Sequence, residues 1–457
     1  MRFLVFLLAF GVAAFATPFE NRFEEIKRNA TPAELYTFLY ALPKGGDLHN
    51  HSGAERPEWI YAICTDPARN GGDTFYTRAR FAGLMRFHNI RQFNYDQLPA
   101  GDREQYVRLD SLTAAERAAW CNSLRLDEPG EGRKEFFFGL WPRRGEISNN
   151  LQVCTESLVE AIKAFGAEHL AYLETQFSID RMADNLGRPI STDDIVAFVK
   201  HRLAQPDVVA TGVTVRLQHA VLRFLPGAEQ QVETIYAFVA ANRDLYVNLN
   251  LVGIEENEAG KPSRFLATFR KLRARYPTLP LSIHAGEMDG ADRHIRDTLL
   301  LGATRIGHGV NLIKDPDTLL LLAHSRRVLV EVNLISNRLL EYTPDLSRHP
   351  FPEYLRLGVP VCLNTDDSGM WDSNMTDEYY TAVTNFNLSW SELVALGRNS
   401  LTYSFVQPEV KAKLLADYER RVADFEAKYL PAESLAQLTT VKPVSYGYAK
   451  RNWGFEF

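Results

Sequence analysis

Histidines and carboxylates recur in this chain where short apolar runs give way to glycine or polar residues. The first such stretch, GGDLHNHSGA from Gly45 to Ala54, sets His49 and His51 two residues apart. Side chains two apart on an extended strand point the same way. The two imidazoles therefore face one side together, a geometry suited to holding a metal ion. Later, SIHAGE carries His284 and Glu287, RIGHGV carries His308, and LNTDDSG carries Asp366 and Asp367. Imidazoles and carboxylates are ligands of borderline divalent metals. The same groups, placed beside a metal, perform acid–base work. Polar residues at strand ends are common in α/β proteins, and that explains one or two of them. An ordered set on four strand ends calls for a fold that brings them to one mouth.

The surrounding pattern supplies such a fold. From about His169 onward, short apolar runs (HLAYLETQF, VTVRLQHAVL, LYVNLNLVG, LPLSIHAGE, TRIGHGV, RVLVEVNLISN and VPVCLNTDD) alternate with amphipathic segments such as EQQVETIYAFVAANRD. Strands alternating with helices imply parallel βα units. With GGDLHNH there are eight strands, which predicts a (β/α)8 TIM-type barrel with its active site at the C-terminal strand ends. The interval between the first and second strands is far longer than one helix needs. It predicts an insertion at about residues 66–150, seated over the top of the barrel, with LTAAERAAWCNSL as a helix inside it. Residues 17–44 read as an N-terminal helical extension, and residues 45–457 as the barrel unit. Extra C-terminal helices are expected from Ser389 to about Tyr429, opened by Ser389 as N-cap with Glu392 three residues on.

With 457 residues, 46% of them hydrophobic, the chain has ample material for a large core. A net charge of −6 argues against nucleic acid as the main partner. The opening MRFLVFLLAFGVAAFA has a basic Arg2, a short apolar run and an Ala14-Phe15-Ala16 site. It reads as a cleaved signal peptide over residues 1–16. The mature protein is then expected to be exported, periplasmic or secreted, with no membrane anchor. Cys64, Cys121, Cys154 and Cys362 allow three full pairings. Cys121 and Cys154, both in the region placed outside the barrel repeat, are the candidate disulfide. Cys362, in an apolar strand, reads as a small buried thiol.

The HxH pair alone leaves two hydrolase classes open: phosphoesterases that hold several metals and often begin with DLHxHS, and mononuclear amidohydrolases. The later motifs decide between them. The order HxH, HAGE, GHG, TDD resembles the adenosine deaminase family of the amidohydrolase superfamily. LPKGGDLHNHSGA, the long insertion, LISN and DDSGMW look most like its secreted branch, the adenosine-deaminase growth factors and their bacterial relatives. The resemblance covers nearly all the chain after residue 16. It implies one zinc ion per chain, held by His49, His51, His284 and Asp366, with a position left for water. It implies that Glu287 protonates purine N1 and that His308 orients or deprotonates the attacking water. It places Asp367 against purine N7 and the Gly253 backbone against N3. His219, at the end of VRLQH, matches a histidine that touches the ribose; read from the residues alone, a barrel-lining histidine is equally open. Ser336-Asn337 matches a supporting SN pair. Glu174 reads as a structural ion-pair partner, and the run Phe136–Trp141 as core or pocket wall.

The implied activity is zinc-dependent hydrolytic deamination of adenosine, and of 2′-deoxyadenosine, to the inosine product plus ammonia. The alternatives are deamination of AMP or a modified purine, or a secreted nucleoside-binding or signalling protein. A homodimer built on the insertion is a further expectation from the secreted branch. Ser52, Asn250 and the NLISN start depart from common family residues. They bear on which nucleoside fits best, since no implied catalytic group is lost.

Overall fold

The computed structural model describes residues 17–78 and 88–457. The segment read as a signal peptide lies outside the described residues. Eight parallel strands form the centre: β1 Lys44–His51, β2 Leu170–Gln176, β3 Thr214–Leu222, β4 Tyr246–Val252, β5 Ser282–Ala285, β6 Arg305–His308, β7 Leu329–Val332 and β8 Val361–Leu363. Strands β1 to β4 pair in order, and so do β5 to β8. The two halves meet at two seams. At one, Asn50 bridges Asp366, with the Asp366 N–H donating to His49 O at 2.9 Å and the His51 N–H to Asp366 O at 3.2 Å. At the other, side chains replace the ladder. The Ser282 N–H donates to Asn248 Oδ1 at 3.1 Å and the His284 N–H to Asn250 Oδ1 at 3.2 Å. β2, β4, β5, β6, β7 and β8 are buried along their whole length, as parallel strands covered on both faces must be. This is the expected parallel (β/α)8 architecture.

The N-terminal stretch forms helices Pro18–Asn29 and Pro32–Ala41, the second opened by a Thr31–Glu34 capping box. Arg22 ties them to the C-terminal region by donating to Tyr429 O and Ala432 O. The segment after β1 holds helix Pro57–Cys64, a three-stranded antiparallel sheet (Phe75–Arg78, Ile90–Arg91, Tyr106–Arg108) and helix Ala114–Asn122. Ile60, Phe75, Leu109 and Trp120 give it a small core of its own. Its last part is a helical run, Arg133–Glu135, Phe136–Leu140 and Trp141–Arg144, with a π-turn in the middle. Asn150 then caps helix Leu151–Ala167, which leads into β2. Near the C-terminus, Trp390–Thr402 begins with the expected Ser389–Glu392 capping box, and Pro408–Tyr429 follows.

The structure corrects the candidate disulfide. All four cysteines are free thiols. Cys154 lies in the first turn of helix Leu151–Ala167, and its Sγ faces the carbonyls of Ser148 and Ile147 at 3.5 and 3.8 Å. Among the described residues no helix is long and apolar enough to cross a membrane.

Candidate active site

The C-terminal strand ends bring together the residues that the sequence singled out. One ligand atom each from His49, His51, His284 and Asp366 lies within 4.8 Å of the other three. Asp366 Oδ1 is 3.4 Å from His49 Nε2 and 3.2 Å from His51 Nε2. The His49 and His284 rings are 4.2 Å apart, and the His49 and His308 rings 4.7 Å. Local backbone strain aims two of these residues. His308 has φ 65° and Asp366 φ 53°, left-handed values that non-glycine residues adopt rarely and at a cost. Gly307 faces the barrel interior, so strict alternation would turn His308 outward. The left-handed turn at His308 brings its ring back to the mouth.

Gly307 is needed for a steric reason. A Cβ there would lie 2.7 Å from His49 Cε1. Gly307→Ala should push the His49 ring aside, with an overpacking cost of about 1–3 kcal/mol. Thermal unfolding and metal content check this; an unchanged metal content would contradict it.

The cluster fits a divalent metal. His49 Nε2 is buried without a hydrogen-bond partner. On the far side of the ring, Nδ1 meets Glu331 Oε2 at 2.9 Å. His284 Nδ1 faces Asn250 Oδ1 at 2.9 Å. A carboxylate and an amide oxygen thus hold the Nδ1 protons of two ligands and leave their Nε2 atoms aimed inward, as metal-binding histidines require. The charge balance agrees. Burial works against a proton on His49, yet Asp366 and Glu331 raise it to about 10. That marks a place where a positive charge is stabilised.

Glu331 was not singled out from the sequence. Its signal was a carboxylate inside the apolar run RVLVEV, a position that demands a partner. It has three: His49, Ser282 Oγ at 2.9 Å, and Arg305 Nε at 2.7 Å. Arg305 also pairs with Glu174, which is therefore the structural ion-pair residue expected. Glu331→Gln should weaken metal binding by roughly 10- to 100-fold, read by competition with a chelator. Unaltered affinity would contradict this.

Glu287 and His308 stand beside the cluster, with His308 Nε2 3.6 Å from Glu287 Oε1. Burial, with the charges of Glu255 and Asp366, holds the Glu287 carboxyl well above the usual carboxylate range. Burial pushes His308 down to about 3, so its imidazole is neutral. Its tautomer is fixed from a distance. The Phe351 backbone N–H donates to His349 Nδ1 at 3.2 Å. His349, pushed down to about 3 by burial, is neutral, and its one proton must sit on Nε2. That proton is donated to Asn337 Oδ1 at 3.1 Å. The Asn337 amide nitrogen then faces His308 Nδ1 at 3.1 Å, joined by that of Asn333 at 3.1 Å. His308 Nδ1 is an acceptor, so the ring proton lies on Nε2 and faces the site. Asn337 belongs to the SN pair noted in the sequence, and Asn333 opens the NLISN stretch noted there as a departure; nothing local marks His349.

Asp367 is buried, and its Oδ1 has no partner. Gly253 follows β4 with φ 102°, and a Cβ there would meet Phe224 at 2.6 Å. Trp141, from the insertion, comes within 6.3 Å of the His51 ring and against Gly53. The run Phe136–Trp141 thus serves both readings: Phe136 packs on Trp371 at 5.0 Å, and Trp141 walls the site.

His219 is a correction. The structure does not bring it to the cluster. Its Nε2 accepts the Ile179 N–H at 3.3 Å, its Nδ1 meets Ala220 O at 2.9 Å, and its ring packs toward Phe238 in the helix Ala228–Ala241. The inward residue of β3 is its neighbour Gln218. Gln218 donates to Leu48 O at 2.9 Å and accepts from Asn248 and Asn250 at 3.1 and 3.2 Å.

Comparison with known proteins agrees with this arrangement. The adenosine deaminase family model matches residues 137–420. The chain belongs to the adenosine deaminase family. An adenosine deaminase of Enterococcus faecalis is 38% identical over 138 residues, 30% of this chain and 40% of that protein. An adenine deaminase of Paraburkholderia phytofirmans is 34% identical over 232 residues, 50% of this chain and 64% of that protein. The chain thus spans less than two thirds of either relative. Two solved structures share the fold. An amidohydrolase from Burkhoderia ambifaria with bound Zn has a TM-score of 0.62 at 20% identity, over 89% of this chain and 95% of that one. Arabidopsis ADAL complexed with IMP has a TM-score of 0.62 at 21% identity, over 85% of this chain and 99% of that one.

Proposed function

We propose that the protein is a zinc-dependent deaminase that replaces the 6-amino group of adenosine, and of 2′-deoxyadenosine, by oxygen from water. The observation that carries this reading is the convergence of His49, His51, His284 and Asp366 on one point, with Glu287, His308 and Asp367 beside it. A zinc ion held there would supply Lewis acidity that brings the pKa of a water molecule toward neutrality. The other steps belong to this chain's residues. Glu287, which keeps its proton, donates it to purine N1 and makes C6 electrophilic. His308 donates from Nε2 and orients the attacking water; with Nδ1 already accepting two amides, it acts as a donor and not as the base. The proton that water loses as its oxygen bonds to C6 goes to the Glu287 carboxylate left by protonation of N1. Glu287 returns it to the amino group as the C6–N bond breaks and ammonia leaves, and the C6 hydroxyl proton then restores the Glu287 carboxyl. The Asp367 carboxyl meets N7 through its unpartnered oxygen. The Gly253 backbone lies against N3, held at a φ of 102° that favours glycine. The apolar segment 1–16 supports an exported, periplasmic or secreted, enzyme.

Relatives named for adenine as well as adenosine, and a fold neighbour crystallised with IMP, make the substrate the point to test. A phosphate needs cationic partners. Two guanidinium groups of the β3 and insertion segments are already engaged, Arg223 with His284 O at 2.9 Å and Arg133 with Glu256 at 2.9 Å. This favours the nucleoside over AMP. The experiment is a comparison of kcat/KM for adenosine, 2′-deoxyadenosine, AMP and adenine. Preference for the two nucleosides is expected; preference for AMP or free adenine would replace this reading by the corresponding deaminase.

A further inference from the structure

A second group of ligand-type side chains lies behind Glu287. Glu255, Asp292 and His294 each present one ligand atom within 4.8 Å of the other two. His294 Nδ1 is 3.5 Å from Glu255 Oε2 and 3.4 Å from Asp292 Oδ2. These separations are long for N–H···O hydrogen bonds. They match the spacing of ligand atoms around an ion held at about 2.0–2.2 Å from each.

His294 is 5% exposed and Glu255 2% exposed. His294 Nδ1, Asp292 Oδ2 and Glu255 Oε1 are all buried without a hydrogen-bond partner. Of these, His294 Nδ1 and Asp292 Oδ2 face each other at 3.4 Å, and native interiors seldom leave two such atoms unpartnered unless something fills the space between them. The three side chains are also held in place. Asp292 Oδ1 accepts the His294 N–H at 2.9 Å at the start of helix His294–Leu301. Glu255 Oε2 accepts the Glu287 N–H at 3.0 Å, and the Arg223 guanidinium lies 3.6 Å from Oε1. Two carboxylates against one guanidinium leave the group net negative when the imidazole is neutral.

We propose that Glu255, Asp292 and His294 form a second divalent-cation site, separate from the His49–Asp366 cluster. One imidazole nitrogen and two carboxylate oxygens suit a borderline ion of the manganese or zinc type. Asp292, with its side chain 23% exposed, gives the ion an entry path and room for water as a remaining ligand. An ion there would brace the backbone of Glu287, because the carboxylate that binds the ion also holds the Glu287 N–H. The site does not depend on which purine the enzyme accepts.

The test is equilibrium dialysis of the full chain, carrying its resident metal, against Mn2+, with each element counted separately. One manganese per chain beyond the resident ion is expected. The affinity should fall at least about tenfold in His294→Asn and in Asp292→Asn. Asp292 is partly exposed, so its variant keeps the test decisive if His294→Asn fails to fold. No manganese beyond the resident site up to ~1 mM, or an identical isotherm in both variants, would overturn the proposal. The group would then be a buried ion pair only.

Discussion

Glu287→Gln is expected to lower kcat/KM for adenosine by roughly 100- to 10,000-fold, the usual worth of a positioned general acid, while the bound metal stays in place. The amide keeps the shape and a hydrogen-bond donor but cannot transfer a proton. Glu287 is not among the four residues whose ligand atoms converge, so metal content serves as the control. The pH profile carries the same logic. Burial and the charges of Glu255 and Asp366 raise the Glu287 pKa. The reactive, protonated form therefore persists to higher pH than in an ordinary carboxyl, and kcat/KM falls on the alkaline side as the proton is lost. With no ion on Glu255, Glu255→Gln removes one of the charges that retain that proton, while its amide oxygen can still accept the Glu287 N–H. The alkaline limb should then move to lower pH. A limb that stays fixed, or moves higher, would remove Glu287 from the role of acid.

The second large effect is loss of the metal. Stripping the protein with a chelator should abolish turnover, and zinc should restore it. Asp366→Asn should prevent restoration, because Asp366 Oδ1 is the one anionic ligand atom, within 3.4 Å of both His49 Nε2 and His51 Nε2. Stability should fall with activity. An ion present at 1,000 times its Kd contributes ~4 kcal/mol to the folded state, so the stripped protein should unfold at lower temperature. Full turnover in protein shown by element analysis to hold no metal would contradict this.

Much of the site was legible in the sequence because it depends on local rules. Alternation along β1 sets His49 and His51 on one side, and the C-terminal ends of parallel strands converge. The errors and omissions lie where local rules stop. In VRLQHAVL either Gln218 or His219 could face inward. The choice rests on strand register, and a shift of one residue exchanges the two faces. Glu331 meets His49 across 282 residues of chain, and Asn337 meets His308 across 29. Such partners are set by tertiary packing, which no periodicity in the chain records. Trp141 reaches His51 because the insertion folds back over the mouth. Cys121 and Cys154 shared a region of the sequence but not an orientation, since the Cys154 thiol turns to carbonyls just before its own helix. His308 and Asp366 reach the site through left-handed backbone, a local exception that pattern reading cannot supply.

The most direct test of the central claim is mass spectrometry of the product formed from adenosine in water enriched in oxygen-18. Inosine with one heavy oxygen at C6, ammonia in equal amount, and no label in the remaining adenosine are expected. Release of free adenine and ribose, or no conversion by protein with a full metal site, would contradict it.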